Sequence, residues 1–180
     1  MIISKSLNLM GEVELGGVKA HIHCTPISSA VFEQYFEPMS LAFAKLHQRG
    51  LAGLGPKIAY LMLKKAAEQL GEWELIKDGL LAEIRRLTNV LLPSHGGWEK
   101  LPYETAINRK KINDEEQAEI DGVVVFFILS FAIMGKKQVI AILPAIQGWG
   151  LQLEYLSYME YADSLQMLTG ADNSTNPVNI

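Results

Sequence analysis

The chain has 180 residues, of which 49% are apolar and 20% charged, with one cysteine and a formal charge of −4. That is enough apolar material for one packed core, and the acidic balance argues against a nucleic-acid binder, which carries a basic face. A lone Cys24 excludes an internal disulfide framework and suits a reducing compartment. The first residues, MIISKSLNLMGEVEL, lack the apolar stretch of a signal peptide, so the cytoplasm is the expected location.

Residues 7–23 predict a β-hairpin. Val13 and Leu15, then Val18, Ala20 and Ile22, alternate with polar residues around Gly16-Gly17, a pair that takes positive φ without steric cost. Thr25-Pro26 predicts a helix start, with Thr25 as the cap and Pro26 at the first helical position. Ile27, Val31, Phe32, Tyr35 and Phe36 follow at helical spacing. Pro38 is expected to break or kink that helix, and Met39, Phe43 and Leu46 carry a second piece to Gly50. The linker GLAGLG ends at Pro56, which opens a helix with Ala59, Met62, Leu63, Ala66 and Leu70 on one face. Ile76, Leu80, Ile84, Leu87 and Leu91 continue the helical rhythm and predict the clearest amphipathic helix of the chain. Residues 93–102, with Gly96-Gly97-Trp98, read as a loop, and residues 103–112 as polar, basic and exposed.

Asn113 is placed to cap a helix whose first turn carries Asp114, Glu115 and Glu116, at the positive end of the helix dipole. That helix runs into residues 123–134, apolar on every face except at Ser130, and such a segment is buried by protein or by lipid. Its length of twelve residues rises about 18 Å, against a hydrocarbon core of ~30 Å. Extending it to Ile146 sets Lys136 and Lys137 at the centre, at roughly 2.5–3.5 kcal/mol each. A core helix without a membrane span is expected. A membrane-associated helical hairpin over residues 123–146 is the competing reading.

Residues 139–146 are a second apolar stretch, interrupted by Pro144. Residues 151–168 suit a helix through Leu153, Leu156, Leu165 and Leu168, or a strand, since Trp149, Leu151, Leu153 and Tyr155 alternate. Residues 170–180 read as a disordered tail. No lysine or arginine follows Lys137, whereas Glu154, Glu160, Asp163 and Asp172 do, so the composition changes at Gly135-Lys136-Lys137. The expected division is a hairpin-plus-helix domain over residues 1–137, an apolar and acidic segment packed on it over 138–169, and the tail over 170–180. The fold class that follows is mainly α (α+β), an N-terminal β-hairpin followed by a compact bundle of about five to six helices.

Site chemistry is sparse. His21 and His23 share a strand face while Cys24 points the other way, and no second cluster completes a ligand set, so exposed hairpin histidines and no metal are expected. GLAGLGPK departs from a phosphate loop, with Pro56 between the last glycine and Lys57 and Ile58 where a hydroxyl is needed. Ser94-His95 has no nucleophile elbow, and Cys24 beside His23 lacks the setting of a thiol nucleophile. Glu115 and Glu116 suit a helix N-terminus, and Arg109-Lys110-Lys111 a solvated loop. No catalytic residue and no cofactor is assigned, and a protein-binding role rather than an enzyme is expected. An exposed apolar face would serve it. Phe32, Tyr35, Phe36 and Phe43, around Pro38, are the candidate partner surface.

The order of elements resembles the tail assembly chaperones of long-tailed bacteriophages. The matching pieces are KAHIHCTPISSAVFEQYFEPMSLAFAKL, IAYLMLKKAAEQL, LLAEIRRLTNVLL and EIDGVVVFFILSFAIMGKK, spread over residues 7–137 by pattern and without a diagnostic motif. The resemblance implies a factor of the host cytoplasm, absent from the mature virion, that keeps the tape-measure protein soluble and recruits tail-tube protein around it. Tape-measure and tail-tube proteins are the implied partners, with self-association open. Many such chaperones are made in two lengths by ribosomal frameshifting, and Gly135-Lys136-Lys137 is the position to which that would apply. A structural phage protein retained in the particle is the other alternative.

Overall fold

The computed structural model describes residues 6–48 and 55–165. Strands β1 (Asn8–Leu15) and β2 (Val18–Cys24) form the expected hairpin. It turns at Gly16 (φ 59°) and Gly17 (φ 74°), the paired positive φ that matches the twist of the flanking strands. Beyond the hairpin the expected bundle is overturned. With β3 (Thr88–Ser94), β4 (Gly97–Pro102) and β5 (Leu151–Glu154), the described residues form a five-stranded antiparallel sheet in the order β4-β3-β2-β1-β5. The protein is α+β around a central sheet, not a mainly α bundle with one hairpin.

The correction has a physical cause at β3. The rhythm from Ile76 to Ile84 is helical, but the helix closes before Leu91. The Thr88 hydroxyl donates to the Ile84 carbonyl at 2.8 Å, and the chain becomes extended from Thr88. Val90, Leu91 and Leu92 are all buried, because β3 is an inner strand covered on both faces. An apolar run of that kind shows no alternation and passes for helix. Residues 93–102, expected as a loop, are instead the turn and second strand of a hairpin, with Gly96 at φ 77° in the turn.

The helices pack mainly on one face of the sheet. Helix α1 (Ser29–Gln34) is capped by Ser28, whose hydroxyl accepts from the Val31 N–H at 3.3 Å, not by Thr25. The break falls at Tyr35, and Pro38 lies in the first turn of α2 (Phe36–Gln48), where a missing N–H costs nothing. Helix α3 (Lys57–Leu70) buries Ala59, Met62, Leu63, Ala66 and Ala67. Helix α4 (Trp73–Leu75) widens into a π-helical turn (Ile76–Leu81) and tightens again as α5 (Ala82–Arg86). Gly79 in that turn admits the Tyr35 ring; a Cβ there would sit 2.1 Å from the Tyr35 hydroxyl. Residues 103–112 include α6 (Tyr103–Asn108), and Tyr103, Ala106 and Ile112 are buried, so the expected exposure holds for Glu104 and Asn108–Lys111 and not for the whole stretch.

Helix α7 (Asp114–Gln138) is the axis of the core. The Asn113 side chain accepts from the Glu115 and Glu116 N–H groups, each at 2.9 Å, and Glu116 accepts from the Asn113 N–H at 2.9 Å, a reciprocal cap. Residues 121–130 are all buried. The helix is longer than residues 123–134, so length alone no longer sets lipid aside: Asp114–Gly135 is long and apolar enough to cross a membrane by length and composition. Here 61% of its apolar window is buried within the protein.

At Gly135 (φ 70°, ψ 173°) α7 kinks. A 3₁₀ turn (Val139–Ile142) and α8 (Leu143–Gly148), with Pro144 in its first turn, lead to β5. β5 pairs with β1, setting Leu153 opposite Leu9, so residues beyond 137 share a sheet with the N-terminal hairpin. Helix α9 (Tyr158–Ser164) follows, so the segment read as helix or strand contains both. The GLAGLG linker and the tail over 170–180 lie outside the described residues, apart from Gly55.

Candidate functional site

The four aromatics of the candidate surface divide between the inside and the outside. Tyr35 is 6% exposed, packed on Gly79, and its hydroxyl accepts from Gln34 Nε2 at 3.1 Å. Phe36 is 55% exposed. Consecutive helical residues point roughly 100° apart, so Tyr35 turned inward sends Phe36 outward. Phe43 lies seven residues further along α2, hence on the same side as Phe36, while Met39, Ala42 and Leu46 face the core. Phe32 is half-buried and stands edge-on to Phe36 with ring centroids 5.6 Å apart. Phe43, also half-buried, lies against His47 at 4.2 Å. The outcome is an outward stripe of Phe36 and Phe43, flanked by Phe32 and His47, with Tyr35 as its inward anchor.

A second cluster lies on the opposite face of the sheet. His21 and His23 share that face, as expected, but are covered by α9. His21 Nδ1 is 2.8 Å from the Tyr161 hydroxyl, and the His21 ring meets Trp98 edge-on at 4.8 Å. His23 is 2% exposed and its Nε2 donates to the Leu156 carbonyl at 3.0 Å; Asn8 Nδ2 donates to the same oxygen at 2.8 Å. Tyr158 donates to the Val90 carbonyl at 3.1 Å. Met10, Leu91, Tyr161 and Ala162 form the apolar centre, separate from the main core. The expected exposed histidines are corrected: alternation gave their face but could not show that a helix from residue 158 onward returns to cover it.

Burial draws both histidines below their ordinary value of 6.5; Glu12 opposes the effect at His21 while Lys19 reinforces it, and the Leu156 carbonyl opposes it at His23. The unfolded chain therefore takes up protons near pH 6.5 that the folded chain refuses. The contribution of the neutral rings to stability is complete above that pH and is lost as the pH falls through it towards the folded values. The melting temperature is expected to drop between pH 7 and pH 5, with a smaller drop in a His21→Gln variant; equal slopes in thermal scans would contradict this. Cys24, on the core side, is wholly buried, its thiol pushed up to about 12 by burial, which makes it a poor nucleophile. Among the described residues no group of three or more His, Cys, Asp or Glu converges on one point.

A third constellation escaped the sequence reading. Asp121 on α7 is 6% exposed and accepts from Arg85 through Nη2 at 2.6 Å and Nε at 3.3 Å, and from the Tyr103 hydroxyl at 3.2 Å. Burial, and then the Asp121 charge, raise the Tyr60 and Tyr103 hydroxyls above their ordinary range. A cleft of about 260 Å³ opens beside these groups, bordered by Tyr60, Gln117 and Ala118. The carboxylate and guanidinium satisfy one another, so the network ties α5 and α6 to α7. Its one sequence signal is an aspartate two residues before a run that is apolar except at Ser130. No known family model matches the chain, and neither a curated protein nor a solved structure matches it significantly.

Proposed function

We propose that the protein is a non-catalytic protein-binding factor of the tail assembly chaperone kind, holding an apolar helical client such as the tape-measure protein soluble and recruiting tail-tube subunits to it. The observation that supports this reading is the α2 stripe: Phe36 is 55% exposed on a helix whose opposite side is fully packed. Aromatic side chains offer a large apolar area with few rotamers to freeze, which suits a reversible contact with the stripe of a client helix. Of the pieces on which the resemblance rests, the hairpin, α1–α3 and α7 follow in that order, whereas LLAEIRRLTNVLL divides between helix and β3. On this reading the factor works in the host cytoplasm, leaves before the particle is complete, and uses no cofactor, nucleic acid or membrane.

Co-expression with a long apolar helical client tests the surface. Phe36→Asp removes the most exposed ring and should alter stability by only about 0.5 kcal/mol, as surface replacements do. The client is expected in the soluble fraction with wild type and in the pellet with the variant, whose melting temperature is unchanged. A variant that protects as well as wild type would remove the stripe from the mechanism. Recovery of the protein from purified finished particles would favour a structural role instead.

A further inference from the structure

We infer that α9 is the resident occupant of a helix-binding groove on the outer face of the sheet, and that a partner helix with apolar or aromatic residues at i, i+3, i+4 and i+7 displaces it. The inference rests on the protein-binding reading above but concerns a different surface. The occupant defines the chemistry: Tyr158, Tyr161, Ala162 and Leu165 are spaced in that way and all belong to the satellite cluster. The floor is Met10 and Leu91, both fully buried, with His21, His23 and Trp98 around them.

Three observations mark α9 as replaceable. It spans seven residues, too few for a helix to hold without its contacts. It packs in a cluster apart from the main core, so its departure leaves that core intact. Its fit is also incomplete: Asn8 is 4% and His23 2% exposed, yet Asn8 Oδ1 and His23 Nδ1 are buried without a hydrogen-bond partner. With His23 Nε2 donating to Leu156, its neutral ring presents Nδ1 as an acceptor, as Asn8 Oδ1 is. A better occupant therefore adds a donor side chain, such as Ser, Thr or Gln, beside its apolar stripe.

Fluorescence anisotropy of a labelled synthetic helix of about fifteen residues, a length at which isolated helices begin to hold, tests the groove on the full chain. The peptide carries Tyr, Tyr, Ala and Leu at the four positions. Tyr161→Ala weakens the resident helix at its centre, and Ser157→Ala removes its N-cap. Both variants are expected to bind the peptide at least tenfold more tightly than wild type, with faster hydrogen exchange in α9, and a peptide with its second tyrosine moved by one position should not bind. Three results would each overturn the inference: equal affinity in all three proteins, unchanged α9 exchange in both variants, or dimerisation of the variants in place of peptide binding, which makes a second copy the occupant. Peptide binding by a protein that protects no client would leave the groove standing and remove the chaperone function.

Discussion

Phe127→Asp is expected to leave the protein unfolded and insoluble. Phe127 is 0% exposed at the centre of α7, with its ring 5.5 Å from that of Phe131. Removing a buried phenyl ring typically costs about 3–5 kcal/mol. A carboxylate in the same place adds several kcal/mol for an unpaired buried charge. The ring sits within a run of buried residues, Val124 to Leu129, that offers no donor side chain to receive that charge. The combined loss matches the whole stability of an ordinary domain, about 5–15 kcal/mol. Soluble yield and a thermal melt read the outcome. Phe127→Leu, which keeps an apolar side chain, should stay folded with a lowered melting temperature, whereas normal yield and melting of the Asp variant would contradict the burial of α7.

Asp121→Ala is the second large effect, and its mechanism is different. Removing the carboxylate, which is 6% exposed, leaves the Arg85 guanidinium without its acceptor, while the Tyr103 hydroxyl keeps the Gln117 carbonyl at 3.2 Å. Breaking one side of a buried pair costs about 3–5 kcal/mol, largely because the remaining charge is stranded. Removing both partners does not strand a charge. Arg85→Met with Asp121→Leu is therefore expected to recover most of the loss, and urea unfolding of the two variants measures the difference. A single variant within about 1 kcal/mol of wild type would mean that solvent already screens the pair.

What the sequence made legible follows from how local each signal is. The hairpin was readable because Gly16-Gly17 forces a turn between two alternating runs. The α7 start was readable because Asn113, with Glu116 three residues on, closes a cap within one turn. The sheet was not: β3 is apolar on both faces, so Val90, Leu91 and Leu92 carry no alternation, and the alternation of Leu151 and Leu153 left strand and helix equally open until β5 pairs with a strand more than a hundred residues earlier. The candidate surface was half legible. Helical spacing grouped Phe32, Tyr35, Phe36 and Phe43, but the room that takes the Tyr35 ring inward is left by Gly79, which a reading of the α1–α2 segment alone does not include. Asp121 and Arg85 were missed because their partnership joins two helices distant in sequence.

Client protection by the folded protein is the central claim, and light scattering of an apolar, helix-rich client refolding from denaturant measures it most directly. Stoichiometric wild-type protein is expected to suppress the scattering, Phe36→Asp to restore it, and a helix peptide bearing an apolar stripe to compete for the same surface. Scattering that is indifferent to wild-type protein at every ratio would contradict the claim.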